Sequence, residues 1–310
     1  MARKQSPSKS EQELIERILE LKARRNAVFL VHNYQPPEVQ DLADFLGDSL
    51  GLSQRAAETD ADVIVFCGVH FMAETAAILS PEKIVLLPAP DAGCPMADMI
   101  DAERLAQVKA KHPKATVVSY VNTTAEVKAL SDYCCTSANA PQVLEAIDSD
   151  EIIFVPDRWL AAWAGQFVDK KIYAYHGHCP THMCILPEDI ERLKREHPNA
   201  LVVAHPECRS DVVAMADAVK STSGMVKFCA ESDAQEFIIA TEYGLIYRLE
   251  KENPQKRFYR VSEHAVCPNM KKCTLEKILW ALEDLEPRVT VPKETANKAR
   301  QAIERMISIT

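Results

Sequence analysis

The sequence predicts an α/β fold of three quasi-equivalent, three-layer α/β/α domains with small parallel sheets around a pseudo-threefold axis. The first observation is a Cys-Pro pair that follows a strand-like apolar run three times, 85 and 88 residues apart, at Cys94, Cys179 and Cys267. The second is a five-residue apolar run that recurs in steps of 88 and 85 residues, over 27–31, 115–119 and 200–204. A near-constant period indicates a repeated unit, and near-continuous apolar runs are typical of strands buried on both faces of a parallel sheet.

Each predicted unit contains the same elements in the same order. An amphipathic helix opens it, over 11–25, 101–111 and 187–196. After the apolar strand comes a second helix, whose three copies align without a gap over 37–49, 125–137 and 210–222. Two further strands complete the units, over 63–66 and 83–87, 152–155 and 171–175, and 237–240 and 257–261. This alternation indicates right-handed βαβ units.

The repeat divides the chain into three domains, 1–97, 98–184 and 185–273. Residues 275–285 resemble the opening helix of a fourth copy, so we expect the C-terminal region 274–310 to pack back on the first domain. No long Gly/Ser linker separates the domains, which favours compact mutual packing.

The composition narrows the class of protein. The 310 residues carry a formal charge of −9, which disfavours nucleic acid or an anionic membrane as the main partner. The first nine residues include basic side chains but lead into no apolar core, unlike a secretory signal. No apolar stretch approaches the roughly 20 residues of a membrane helix, so we expect a cytoplasmic protein. In such a chain the ten cysteines favour metal or catalytic use over a disulfide framework.

Ligands of open parallel sheets bind beyond the carboxyl ends of the strands. In each predicted unit a polar triplet follows the first strand, at 32–34, 120–122 and 205–207. Hydroxyl residues recur at one repeat position, where a following helix would favour anions: Ser49, Ser137 and Thr222. We therefore expect the following side chains to surround the three Cys-Pro cysteines: His32, Tyr34, Tyr120, Asn122, His205 and Glu207.

The count of three repeated cysteines is informative. A [4Fe–4S] cluster usually takes four thiolates. With three protein ligands, Cys94, Cys179 and Cys267, one iron keeps an open position and can act as a Lewis acid on a substrate. The other seven cysteines are interpreted as packing or loop residues.

Zinc is the competing metal. His176, His178 and His182 lie beside Cys179 and could form a zinc site with it. The spacing is not that of a standard closed zinc site, and it leaves the other two Cys-Pro copies without a purpose.

Several long motifs carry a resemblance to a known family: VHNYQPPEVQDLADFLGDSLGLS, FCGVHFMAETAAILSP, DAGCPMAD, GHCPTH, HPEC, STSGM and CPNMK. In their order and separation they are similar to quinolinate synthases, across about residues 14–285. The resemblance implies a transferase-type enzyme of de novo NAD synthesis with a [4Fe–4S] cluster. It would condense iminoaspartate with dihydroxyacetone phosphate, releasing phosphate and water to give quinolinate.

The resemblance also implies roles for residues of this chain. The cluster ligands would be Cys94, Cys179 and Cys267. Of the catalytic group, His32 and Tyr34 match residues that handle the triose, Glu207 beside His205 matches a proposed general base, and His182 follows the second ligand. The implied substrate-binding residues are His32, Tyr120, Asn122, His205 and Glu207, with the anion-binding hydroxyls Ser49, Ser137, Ser221 and Thr222.

Some questions stay open at this point. Many family members carry a tight Cys-x-x-Cys run at the third ligand, but here the neighbour is Cys273, six residues on, which argues against redox control through that pair.

Other functions for the same cysteines are an iron–sulfur hydro-lyase for a small hydroxy acid and a non-enzymatic iron–sulfur sensor. The family implies a functional link to an aspartate-oxidising enzyme. Either a monomer or a homodimer is compatible with the sequence.

Overall fold

The computed structural model describes residues 8–309. Residues 1–7 lie outside the described residues. They begin the N-terminal segment in which we predict no secretory signal. The first repeat contains α1 (Lys9–Arg24), β1 (Ala27–His32), α2 (Pro37–Gln40), β2 (Phe45–Gly47), α3 (Ser49–Glu58), β3 (Val63–Cys67), α4 (His70–Leu79) and β4 (Ile84–Leu86). Its four strands form one parallel sheet in the order β2-β1-β3-β4.

The second repeat has the same order of elements and ends with one extra short helix. It contains α5 (Ala102–Lys111), β5 (Thr116–Tyr120), α6 (Ala125–Ala129), β6 (Tyr133–Cys135), α7 (Ala140–Ala146), β7 (Glu151–Val155), α8 (Arg158–Ala164), β8 (Lys171–Ala174) and α9 (Pro180–Met183). Its sheet is parallel and ordered β6-β5-β7-β8, so the strand order of the first repeat recurs.

The third repeat again gives a four-stranded parallel sheet, ordered β10-β9-β11-β12. It contains α10 (Pro187–Glu196), β9 (Leu201–Ala204), α11 (Ser210–Val213), β10 (Ala218–Val219), α12 (Thr222–Glu231), β11 (Glu236–Ala240), α13 (Leu245–Glu252) and β12 (Arg257–Arg260). The predicted fold class of three α/β/α units is confirmed. The exact boundaries at 97/98, 184/185 and 273/274 stay predictions.

The prediction of one helix after the first strand, over 37–49, 125–137 and 210–222, was wrong in all three repeats. Each stretch forms only a short helix and then a short edge strand. An aspartate fixes this strand: the Asp44 carboxylate accepts a hydrogen bond from Phe29 N at 2.7 Å, while Asp44 N donates to Phe29 O. Asp132 and Asp217 repeat the arrangement on the first strands of their own units. Pairing with a neighbouring strand outweighed the local helical pattern, which periodicity alone does not reveal.

Alternation along the first strand explains the three layers. Phe29 and Val31 face an outer cluster with Ile18 of α1, whereas Val28 and Leu30 face the inner core. The inner faces of all three sheets belong to one continuous cluster, and the three outer clusters each serve one unit. The units therefore share one core at the centre of the molecule.

Two C-terminal helices pack back on the units. The first, α14 (Leu275–Asp284), joins the outer cluster of α1. The second, α15 (Lys293–Ser308), fastens the first unit to the second. Asn139 Nδ2 donates to the carbonyls of Met306 and Ile309, and the Arg300 guanidinium donates to Leu79 O at 3.0 Å. Among the described residues, no helix is both long and apolar enough to cross a membrane.

Candidate active site

The carboxyl ends of the strands of all three units meet at one cavity of about 170 Å³. Its wall contains every predicted site residue except Ser221: His32, Tyr34, Ser49, Cys94, Tyr120, Asn122, Ser137, Cys179, His182, His205, Glu207, Thr222 and Cys267. No unit supplies the wall alone, so the site exists only when the three units are assembled.

The three Cys-Pro cysteines occupy equivalent local structures. Each thiol is free and only partly buried, and each is followed by a helical turn that starts near its proline. Backbone N–H groups two and three residues on face the sulfur of Cys94 and of Cys267, and the His182 N–H faces that of Cys179. Such donors favour a thiolate.

Burial acts in the other direction on these thiols. It raises the pKa of Cys94 to about 12 and raises the pKa values of Cys179 and Cys267. At neutral pH the thiols are therefore protonated until a cation binds and stabilises the thiolates. Three soft ligands with N–H donors aimed at sulfur fit an iron–sulfur cluster, whose sulfurs accept such hydrogen bonds.

A second group of metal-capable atoms overlaps the first. Single ligand atoms of Cys179, His182 and Glu207 lie within 4.8 Å of one another. The alternative zinc set is not assembled: His176 is exposed and its ring lies tilted beside that of Tyr175, and neither His176 nor His178 lines the cavity. The residues around Cys179 can thus hold a metal, but not through the histidine cluster that the sequence suggested.

Glu207 lies at the centre of a buried polar network. Its Oε1 accepts a 2.5 Å hydrogen bond from the Tyr120 hydroxyl, and its Oε2 lies 2.9 Å from His182 Nδ1. At the second distance the ring nitrogen contacts the carboxylate, although it is not aligned for a hydrogen bond. Burial raises the pKa of Glu207, but His182, His205 and the Tyr120 hydroxyl outweigh it and lower the value to about 2. Glu207 is therefore an ionised acceptor.

Backbone hydrogen bonds set the tautomers of two histidines. Glu207 N donates to His205 Nδ1 and Tyr34 N donates to His32 Nδ1, the same turn in two repeats. Burial lowers the pKa of both rings to about 3, so each is neutral with its proton on Nε2.

A hydroxyl bridge joins the first unit to the second. Thr241 Oγ1 lies 2.5 Å from the Tyr34 hydroxyl and 2.9 Å from His182 Nε2. Burial is the main reason why the pKa values of Tyr34 and Tyr120 lie well above the usual range. Both phenols therefore keep their protons at neutral pH and act as hydrogen-bond donors. Asn122 adds an acceptor: its buried Oδ1 has no partner among the described residues.

The predicted anion-binding hydroxyls divide into two groups. Ser49, Ser137 and Thr222 line the cavity. Ser221 lies outside the wall, where its hydroxyl accepts from Gly224 N and donates to Asp48 Oδ2. Substrate binding by Ser221 stays a prediction, since capping of α12 already uses this hydroxyl.

Comparison with known proteins shows the family of the chain. The sequence profile of the family described as Quinolinate synthetase A protein matches residues 16–308. The chain belongs to this family. It is 57% identical over 297 residues to quinolinate synthase 1 of Methanosarcina acetivorans, covering 96% of this chain and 98% of that protein. It is 58% identical over 296 residues to the quinolinate synthase of Thermodesulfovibrio yellowstonii, covering 95% and 98% respectively.

Several residues of this candidate site were not predicted from the sequence. Thr241 and Glu242 follow β11 directly, and Glu242 lines the cavity with its carboxylate wholly buried. Lys271, four residues after Cys267, pairs with Glu242 at 2.9 Å. Polar residues were sought only at the end of the first strand of each unit. The same rule applied to the end of β11 would have found Thr241 and Glu242.

Proposed function

We propose that this chain is a quinolinate synthase, which condenses iminoaspartate with dihydroxyacetone phosphate and releases phosphate and water. The observation that carries the proposal is the meeting of three cysteines, one from each unit, with Glu207, His182, Tyr34 and Tyr120 around one small cavity. The product, quinolinate, places the protein in de novo NAD synthesis.

The cofactor that best fits three converging cysteines is a [4Fe–4S] cluster held by Cys94, Cys179 and Cys267. When bound, it would supply one iron without a protein ligand as a Lewis acid for a substrate oxygen or nitrogen. The backbone N–H groups that face the sulfurs of Cys94 and Cys267 would stabilise the ligating thiolates.

We assign Glu207 the role of general base in this reaction. It is ionised, buried and within the cavity, so it can accept a proton from a substrate carbon. Its two neighbours, His182 at 2.9 Å and the Tyr120 hydroxyl at 2.5 Å, hold the carboxylate in place in the cavity.

Tyr34 and His182 form a second proton-handling pair through Thr241. The Tyr34 phenol keeps its proton and lies beside His32, with the two ring centroids 4.7 Å apart. These groups can move protons between the carbonyl and hydroxyl oxygens of a triose, and they can donate to a departing hydroxyl.

The substrates bring two carboxylates and one phosphate, and the cavity wall offers three hydroxyls from equivalent repeat positions. His205 Nε2 carries its proton and donates to Ser137 Oγ at 3.1 Å, so the Ser137 hydroxyl proton is free to point at a substrate oxygen. We assign one anionic group to each of Ser49, Ser137 and Thr222.

The test is an anaerobic purification followed by analysis of iron and sulfide, and low-temperature spectra with and without quinolinate. We expect about four irons per chain, a spectrum changed by quinolinate, and formation of quinolinate when an aspartate-oxidising enzyme supplies iminoaspartate. Cys94→Ser, Cys179→Ser and Cys267→Ser should each lose bound iron. Cys184→Ser is the matched control, because Cys184 is exposed and outside the cavity wall.

Different outcomes would contradict different parts of the proposal. Zinc in place of iron after strictly anaerobic preparation would remove the cluster. A loaded cluster with dehydration of a hydroxy acid but no condensation would favour the hydro-lyase.

A further inference from the structure

A hydrogen-bond chain crosses the boundary between the first and third units and ends at a cavity hydroxyl. Arg248 Nη1 on α13 donates to Asn33 Oδ1 at 2.8 Å, and Asn33 Nδ2 donates to Thr222 Oγ1 at 2.8 Å. Asn33 is completely buried and directly precedes Tyr34, while Thr222 is the first residue of α12. Neither Arg248 nor Asn33 lines the cavity.

The direction of this chain follows from the chemistry of its first member. A guanidinium has five donors and no acceptor, so the atom of Asn33 that faces Arg248 must be its carbonyl oxygen. The amide nitrogen then faces Thr222, whose oxygen must accept. An Asn amide that could otherwise flip is thus fixed in one orientation by a cation.

Arg248 is itself held in place. Its Nε pairs with Glu252 at 2.7 Å, and its Nη1 also donates to Leu46 O at 2.9 Å. Its side chain is 18% exposed, so most of the guanidinium is shielded from water. A shielded cation with several fixed acceptors holds a partner more firmly than a mobile surface arginine does.

The consequence falls on the Thr222 proton. A hydroxyl that accepts from Asn33 must direct its own proton elsewhere, and Thr222 makes no other side-chain hydrogen bond within residues 8–309. Because Thr222 lines the cavity, that proton is available to an oxygen that can only accept, such as a carboxylate or phosphate oxygen.

We propose that Asn33 and Arg248 are positioning residues that fix Thr222 as a donor to an anionic group of the ligand. The proposal rests on the proposed function for the identity of the ligand and adds two residues outside the cavity wall to its specificity. Asn33 acts through Thr222, and Arg248 acts through Asn33.

The experiment is a double-mutant cycle on the anaerobically purified, cluster-loaded protein. The near-isosteric Asn33→Asp replaces the donor to Thr222 by an acceptor, so the Thr222 proton should turn away from the cavity. Calorimetry would measure the Kd of quinolinate and, separately, of inorganic phosphate. We expect Asn33→Asp to weaken at least one of them about tenfold or more, and Arg248→Met by about three- to tenfold, since a hydrogen bond to a charged group is lost.

The Thr222→Val background separates positioning from structural damage and from the change in net charge. In that background Asn33→Asp and Arg248→Met should change the same Kd by less than about twofold, because the hydroxyl on which they act is gone. In steady-state assays we expect KM of the affected substrate to rise more than kcat falls. Lys251→Met is the matched control: it removes a cation of the same helix that pairs with Asp41, and it should leave the Kd unchanged.

Equal effects in the wild-type and Thr222→Val backgrounds would overturn the proposal, as would a wild-type Kd in Asn33→Asp. If the wild type binds both ligands and only the coupling is absent, the positioning role fails while the proposed function stands. If the wild type binds neither ligand and forms no quinolinate, both fail together.

Discussion

The buried pair of Lys271 and Glu242 links the third cysteine to the Tyr34 loop. Lys271 Nζ lies 2.9 Å from Glu242 Oε1 and also donates to Tyr34 O. The carboxylate in turn accepts from Cys267 N at 3.1 Å and from Gly244 N at 2.8 Å. We predict that Lys271→Met destabilises the protein and loosens both Tyr34 and Cys267.

The magnitude follows from the burial of the two partners. Removing one member of a buried pair costs about 3–5 kcal/mol, because the other charge is left uncompensated. The Lys271 side chain is 18% exposed and Glu242 keeps two backbone donors, so we expect a loss of about 2–3 kcal/mol. The double variant Glu242→Gln/Lys271→Met should recover most of it, since no charge is then stranded.

The pH dependence gives the prediction a sign. Burial raises the pKa of Glu242 above its usual value, and Lys271 opposes that shift. Without Lys271 the folded-state pKa rises further. A carboxyl with a raised folded-state pKa stabilises the protein while it is protonated and loses that contribution as pH rises above the unfolded value of about 4.5. The deficit of Lys271→Met should therefore be larger at pH 8 than at pH 5.

Urea unfolding of both variants and the wild type at these two pH values measures the effect. A deficit that is equal at both pH values would refute the electrostatic argument. So would a double variant no more stable than Lys271→Met.

Three further variants test other parts of the structure. Glu207→Gln should lower kcat by about 10²–10⁴-fold with normal iron content, and loss of iron instead would assign this residue to the cofactor. Gly244→Ala should cost about 1–3 kcal/mol, because a Cβ there would lie 2.7 Å from Tyr34 O and 2.8 Å from Lys271 Nζ; an unchanged thermal midpoint would contradict this. Asp217→Ala should cost about 1 kcal/mol through the lost bond to Val202 N, with activity retained, and a loss of activity would show that the edge strand positions the site.

Much of the fold could be predicted because its signals are local and repeated. The apolar runs and the Cys-Pro pairs recur at one period. The strands and opening helices of the structure lie close to the residues that this period predicts. The edge strands could not be recognised in this way. Phe45–Gly47 is three residues long, and its strand conformation depends on Asp44, which bonds to Phe29 fifteen residues earlier. A contact of this kind is tertiary and leaves no periodic pattern.

The site shows the same division. Residues that follow a Cys-Pro pair or the first strand of each unit could be located by repeat position. The roles of Lys271 and Asn33 could not be predicted, because each acts through a partner far away in the chain: Lys271 pairs with Glu242, and Asn33 donates to Thr222. The repeat predicts the features that the three units share, and these contacts are features in which the units differ.

The position of α15 has a consequence for biosynthesis. Protein chains are made from the N-terminus onwards, and domains begin to fold as they emerge. Cys267 therefore leaves the ribosome before residues 293–308, which fasten the first unit to the second through Arg300 and Asn139. We therefore expect a stage of synthesis at which all three cysteines are present, but α15 does not yet join the first unit to the second. For the proposed iron–sulfur cluster, we expect delivery of iron and sulfide to the cavity to be easiest during or just after translation, before α15 docks.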